Sequence, residues 1–296
     1  MATTETISSN YAGEAASRFF SAILKQPTSI QNGGVNVQDG IRFKWNIPRL
    51  NLSGLIGDAT CDFTDVGTIT RDERVLEVEG AEVNLKLCKT KYRSTFDNMG
   101  SSYWSGLAPD FASHLVGLVA GNVAESRENT IWSGATATAG EFDGFEVIFT
   151  NEPLQPAAYE IAGTTVTAAN VIAQLQLVVD AADSALYSND SFAIRAGTNI
   201  IKHYIAAQAA LGYLDRFNVG TTELNFQGVP LIHCSGMSDN LYYGIGETAD
   251  AQSVDLIDQQ PLDGSSNVNV VMKWADGVQV ANPEDVITYG ITNGGN

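Results

Sequence analysis

The chain has 296 residues, 44% hydrophobic and 17% charged, with a formal net charge of −18 and a pI of about 4.3. That length supports one large domain or two ordinary ones around a sizeable core. The acidic balance, with no basic run anywhere, excludes direct phosphate binding by clustered Lys and Arg. The three cysteines, Cys61, Cys88 and Cys234, share no repeated spacing, which suits reduced thiols in a cytosol better than a disulfide framework. The first residues, MATTETISSNYAGEA, lack the basic-then-apolar layout of a signal peptide. No stretch has the apolar length of a membrane helix, so a soluble chain with no membrane partner is expected.

Residues 1–10 read as a disordered tip. From Tyr11 to Lys25, Ala12, Ala16, Phe19, Phe20, Ile23 and Leu24 recur at helical spacing, and Glu14 precedes Arg18 in the favourable order for an ion pair. Pro27 ends this helix, which is expected to dock on its own core or on a neighbouring subunit. Ile41 to Leu52 alternates as a strand, with Pro48 favouring an edge or a bulge. Leu55 to Gly67 is loop-like, and Thr68 to Tyr92 returns as a long β segment in which Val83, Leu85 and Leu87 alternate with polar residues. Two such strands make a hairpin longer than a compact domain needs, and it requires a neighbour to cover it.

The stretch Tyr103 to Gly134 is the longest helical pattern in the chain. Pro109 fits the first turn, and Phe111, Leu115, Leu118, Val119 and Val123 form one apolar stripe. Glu125, Arg127 and Glu128 crowd the last turns, and Gly134 is expected to close the helix in a left-handed conformation. Gly117 and Gly121 each weaken it by roughly 1 kcal/mol relative to alanine, a cost that close sheet packing or a bend could explain.

Beyond it, EFDGFEVIFTN reads as a short strand pair turning at Asp143 and Gly144. Thr167 is the expected cap of a helix running to Tyr187, with Val171, Leu175, Val178 and Ala182 on one face. SFAIRAG reads as a buried strand. Thr198 and Gly212 bound a third helix. ELNFQGVPLIHCSG and DNLYYGIGE read as two strands joined by a turn near Ser238 to Asn240. Ser253 to Ile257 and Val268 to Trp274 are further strands, and Val286 to Ile291 is a last strand expected to return to the first sheet. The fold class is α+β: a hairpin arm, a long helix beside one sheet, and a second sheet with two helices.

No P-loop, dinucleotide fingerprint, zincin helix or nucleophile elbow is present. His114 and His203 fall on helices. His233 and Cys234 are adjacent on a strand and so point to opposite faces. Asp58, Asp62 and Asp65 do not match a calcium loop. No catalytic, cofactor-binding or metal-binding residue is assigned, and the chain is read as a non-enzyme.

The order of pieces resembles the major capsid protein of tailed bacteriophages, the Hong Kong 97-like fold family, which also includes encapsulins. The spine helix of that family commonly ends as Glu128, Ile131, Trp132 and Gly134 do here. FDGF is similar to its following strand turn, and SFAIRAGTNIIKHYIAAQAALGY with LNFQGVPLIHCSGMSDNLYYGIG is similar to its distal segment. The resemblance runs from about Ile41 to Ile291. It implies an N-terminal arm at 1–35 and a peripheral domain at 36–160, with an E-loop at about 50–79 and a spine helix at about 103–132. It further implies an axial domain at 161–257 and C-terminal strands at 258–296 that return to the peripheral domain. It implies a shell subunit that partners itself in pentamers and hexamers of an icosahedral virion capsid, built in the host cytoplasm around double-stranded DNA. Scaffolding, portal and decoration proteins are the further partners it suggests. The family's lysine–asparagine weld is not expected, because Asn51 to Gly80 contains no lysine. No long scaffolding segment precedes the arm, so a separate scaffold or none is expected. An encapsulin-type nanocompartment shell is the sister reading. An intracellular enzyme or binding protein with an unrecognised site is the reading from a different class.

Overall fold

The structure, a computed structural model, describes residues 28–41, 43–59, 61, 66–88, 109–189, 191–212, 224–237, 241–243, 246–258 and 267–291. The helix expected at Tyr11 to Lys25, the start of the long helix at 103–108 and the segment 89–92 lie outside them. The β segment that begins at Thr68 changes sheet at Val78. Before that point β3 (Thr68–Glu77) pairs antiparallel with β2 (Lys44–Ser53) in a two-stranded hairpin. After it β4 (Glu79–Cys88) enters a four-stranded sheet. The Val78 N–H donates to the Phe43 carbonyl at 3.1 Å and pins the crossing.

That sheet has the order β1–β10–β11–β4, from β1 (Asn36–Asp39), β10 (Gly246–Asp258), β11 (Asn267–Val280) and β4. β10 and β11 pair from Gly246↔Val280 to Asp258↔Val268. The sequence reading leaves β10 in the distal unit. It belongs here because β11 alone has the length to satisfy its backbone groups.

The long helix α2 (Pro109–Ser133) follows a one-turn helix α1 (Thr28–Gln31) in chain order. Of its expected stripe, Val119 is buried and Leu118 and Val123 are half-buried; the Phe111 and Leu115 side chains lie outside the described residues. Gly134 does not take the left-handed conformation expected of it. Its lack of a side chain is needed for contact instead: a Cβ there would stand 2.5 Å from Thr130 Cγ2 and 2.6 Å from the Phe142 carbonyl. Close packing does not explain Gly117, which is exposed and has no described atom within 4 Å of a Cβ.

FEVIFT is a helix, α3 (Phe145–Thr150), and not half of a strand pair. Phe145 and Phe149 are both buried, at the spacing of one helical face. Asp143 does not turn a hairpin; its carboxylate accepts from the Thr136 N–H at 2.8 Å and holds the loop before the helix. The helix expected from Thr167 to Tyr187 is broken in two, α4 (Val171–Ala181) and α5 (Ser184–Tyr187). The break comes from Asp183, whose carboxylate caps α5 by accepting from the Leu186 N–H at 2.8 Å. Thr167 does not cap α4, whose cap position is Asn170; its own N–H donates to Asn170 Oδ1 at 2.7 Å in the turn before the helix.

The second sheet has six strands in the order β5–β12–β9–β6–β8–β7. These are β5 (Glu160–Ile161), β6 (Ile194–Ala196), β7 (Leu224–Phe226), β8 (Val229–His233), β9 (Leu241–Tyr243) and β12 (Thr288–Tyr289). β6 is buried at all three residues, as expected of SFAIRAG. Helix α6 (Thr198–Ala210) follows β6, and strand β8, reached through β7, pairs parallel with β6. So β8 and β9 are not neighbours, as the sequence reading had them; β6 lies between them. The hairpin in this stretch is β7–β8, turned at Gln227 (φ 50) and Gly228 (φ 85). The last strand, β12, pairs with β5 and β9 and does not return to the first sheet. The turn at Pro283–Asp285 redirects the chain, and Ile287 and Tyr289 enter the core of the six-stranded sheet.

Val171, Leu175 and Val178 of α4 and Ile200, Ile201 and Tyr204 of α6 fill that core. A second cluster gathers Trp132, Phe142, Phe145 and Phe149 against Val278 and Val280, with the Trp132 and Phe145 rings 5.2 Å apart. Fully burying each such aliphatic or phenyl side chain contributes about 1.5–3 kcal/mol.

Candidate assembly interface

The register of the β2–β3 hairpin sorts its side chains into two faces, because directly opposed residues share a face. On one face Trp45 opposes Leu76, Ile47 opposes Arg74, Arg49 opposes Asp72 and Asn51 opposes Thr70. This face is graded along its length. Leu76 and Ile47 are buried at the root with Ile41, in a small cluster of their own. One step out, Arg74 grips Glu152 with two bonds, Nη1–Oε1 at 3.1 Å and Nη2–Oε2 at 2.5 Å, and its Nη2 also donates to Gln279 Oε1 at 3.0 Å. Glu152 is nearly buried, with a side chain 5% exposed. The next tie, Arg49 Nη2 to Glu284 Oε2 at 2.7 Å, ends on a carboxylate 42% exposed. Beyond it Asn51, Thr70, Ser53 and Thr68 are polar and exposed.

The opposite face has the reverse character. Lys44 and Glu77 close an ion pair at 3.0 Å near the root, and past them the outer half carries Leu50 (70% exposed), Leu52 (55%) and Ile69 (67%). At the tip, between Gly54 (φ 65) and Gly67 (φ 89), Ile56 is 98% exposed, and Leu55 and Val66 are exposed as well. Exposed Leu50, Leu52 and Ile69 cluster on this face beside Arg71, which opposes Leu50, and clustered exposed apolar side chains of this kind mark interaction surfaces. An isolated two-stranded ribbon is also only marginally stable in water. The hairpin is anchored at its root by burial and ion pairs, while its outer part presents what a second surface must cover.

The residues singled out for chemistry do not converge. Among the described residues, no group of three His, Cys, Asp or Glu side chains is placed to hold a metal ion. Asp58 and Cys61 are exposed near the hairpin tip, while Asp62, Asp65 and the His114 and Cys88 side chains lie outside the described residues. His203 is half-buried on α6. His233 Nε2 shares a hydrogen bond with Thr198 Oγ1 at 2.9 Å, so Thr198 serves β8 rather than capping its own helix, whose cap position is Gly197. Burial pulls the His233 imidazole below its ordinary value, against the raising effect of Glu128. Burial pushes the Cys234 thiol up to about 12. The features the sequence reading passed over are the outward apolar strip, legible as alternating Leu50, Leu52 and Ile69, and the polar contacts around Glu128, which join residues far apart in the chain. No helix among the described residues is long and apolar enough to cross a membrane.

No family model and no curated protein matches the chain. Solved structures do. The capsid of a native GTA particle is 12% identical with a TM-score of 0.61, covering 98% of this chain and 95% of that one. The capsid of Myoviridae phage XM1 is 12% identical with a TM-score of 0.59, covering 93% and 94%. A structure from Mycobacterium phage Che8 is 9% identical with a TM-score of 0.58, covering 99% and 100%. At these identities the likeness is one of fold. The chain shares its fold with these capsid structures over nearly its whole length.

Proposed function

We propose that the chain is the shell subunit of a tailed phage, assembling as pentamers and hexamers into an icosahedral capsid around double-stranded DNA. The observation that carries this reading is the hairpin: an anchored root and an exposed apolar outer face, on a fold shared with solved phage capsids. Its occupant is a second copy of this chain. A protruding strip that meets a different surface on the next copy makes a heterologous contact, which closes into rings. Many identical contacts then gain by avidity even where each one is modest.

In this reading the hairpin is the E-loop, α2 the spine helix, the four-stranded sheet the peripheral domain, and the six-stranded sheet with α4 and α6 the axial domain. Residues 1–35 are the N-terminal arm. The peripheral sheet draws on β1, β4, β10 and β11, so its strands come from three distant parts of the chain. The net charge of −18 fits DNA held by confinement and not by phosphate contacts. The subunit acts as a structural protein, without a catalytic step, inside the virion capsid. Scaffolding, portal and decoration proteins are its expected auxiliary partners.

Nuclease-protected nucleic acid in particles purified from the producing cells tests the reading. Particles holding double-stranded DNA support the capsid. Particles enclosing a protein cargo and no DNA replace it with the nanocompartment.

A further inference from the structure

Glu128 lies in the last turns of α2 and is 1% exposed. A buried carboxylate is costly to desolvate, and no lysine or arginine among the described residues forms an ion pair with this one. Uncharged donors from two other segments compensate it. The Ser29 N–H reaches its two oxygens at 3.2 and 3.3 Å, and Ser29 Oγ donates to Oε1 at 2.6 Å. Ser235 Oγ at 3.2 Å and the Gly236 N–H at 3.1 Å approach the same oxygen from the loop after β8. One turn along the helix, Trp132 Nε1 donates to Ser29 Oγ at 2.7 Å.

The same short strap is held at further points. Thr28 Oγ1 accepts from the Ser235 N–H at 2.7 Å, and Asn32 Nδ2 donates to the His233 carbonyl at 2.8 Å. The buried Arg195 of β6 donates through Nε to the Gly34 carbonyl. Packing here leaves no slack: a Cβ on Gly236 would stand 2.0 Å from the Glu128 carbonyl oxygen, and one on Gly34 would stand 2.8 Å from Cys234 Sγ. Segment 28–35 is thus fastened at once to the helix beside the four-stranded sheet and to two strands of the six-stranded sheet.

We propose that Glu128 is a positioning residue that latches the strap 28–35 to α2 and to the six-stranded sheet and so fixes the place of Thr28, the first residue of the strap. An apolar side chain of similar size would fill the space without the desolvation cost. It would leave the Ser29 and Gly236 N–H groups buried without acceptors, and the strap would detach before the core did. The consequence for assembly, one uniform position of Thr28 in every copy, rests on the shell reading. The latch itself does not.

Hydrogen exchange followed by mass spectrometry on the unassembled full chain tests it, with E128M, which keeps the volume and removes both acceptor oxygens, S29A and the double variant. The amides of 28–35 are expected to exchange about tenfold faster in each single variant, the change that losing one to two buried hydrogen bonds produces. The double variant is expected to add little, because both changes cut the same contact. Ile194–Ala196 of β6 is expected to keep its protection throughout. An unchanged strap in E128M, a second full increment in the double variant, or an equal rise across β6 would each overturn the latch. If E128M does not fold, S29A alone gives the deciding comparison between strap and β6. Particle formation by the native chain is scored separately, so the latch and the shell reading fail independently.

Discussion

Leu52 and Ile69 oppose each other on the outward face of the hairpin, 55% and 67% exposed, with no described residue of their own chain covering them. Replacing both with aspartate removes no buried contact, so the isolated chain should lose less than about 0.5 kcal/mol. It should nevertheless lose assembly, because two charges would have to be desolvated in each contact. Thermal melting and light scattering together check this; assembly at the native level would show that the strip is not an interface.

Arg74 and Arg49 tie the same hairpin to the body, and the two ties differ in burial. Arg74→Ala strips a nearly buried Glu152 of its cation, an arrangement that costs about 3–5 kcal/mol. Arg49→Ala leaves Glu284 open to water and should cost about 1 kcal/mol or less. Urea unfolding of the two variants should separate them in that order.

Two glycines should respond to alanine with opposite signs. Gly117→Ala meets no described atom and should stabilise the helix by about 1 kcal/mol. Gly236→Ala drives a methyl group into the Glu128 carbonyl and should destabilise by about 1–3 kcal/mol or more. Equal effects in melting experiments would contradict the packing described around Glu128.

Asp285 gives a pH dependence with a definite sign. Burial, then Glu284 and Asp183, raise its carboxyl above the ordinary 3.8, with Arg49 opposing. A carboxyl raised in the folded state favours folding below 3.8 and loses that contribution as pH rises through its folded value. Asp285→Asn should therefore melt higher than the native chain at pH 7, and the gap should close as the pH falls toward 3.8. A gap that widens on acidification would reverse the assignment.

The two free thiols among the described residues should behave differently toward iodoacetamide at pH 8. Cys61 is exposed at the hairpin tip, whereas Cys234 is buried with its thiol pushed up to about 12. Peptide mapping should find Cys61 alkylated in the free chain and Cys234 only after unfolding. In particles Cys61 should become protected as well.

The long helix, the buried strand Ile194–Ala196 and the helix Thr198–Ala210 were legible because each carries its own period or apolar run over enough residues. Phe145–Thr150 was not, since six residues with phenylalanine at both ends also fit alternating strands. β10 was read too short because its polar residues hide its pairing, which only the length of β11 explains. Glu128 was legible as a residue but not in its role. Near a helix end a glutamate normally faces water, and its partner Ser29 stands 99 residues away in the chain. The apolar strip was written plainly at Leu50, Leu52 and Ile69, but its outward direction follows only from the burial of Ile47 and Leu76 on the other face.

Negative-stain microscopy of the purified chain, beside a variant lacking the tip residues between Gly54 and Gly67, tests the account most directly. The native chain is expected to form closed particles or capsomer rings of uniform diameter, and the variant a folded, non-assembling subunit. A native chain that stays monomeric at high concentration with crowding agent present, or a variant that assembles equally well, would contradict it.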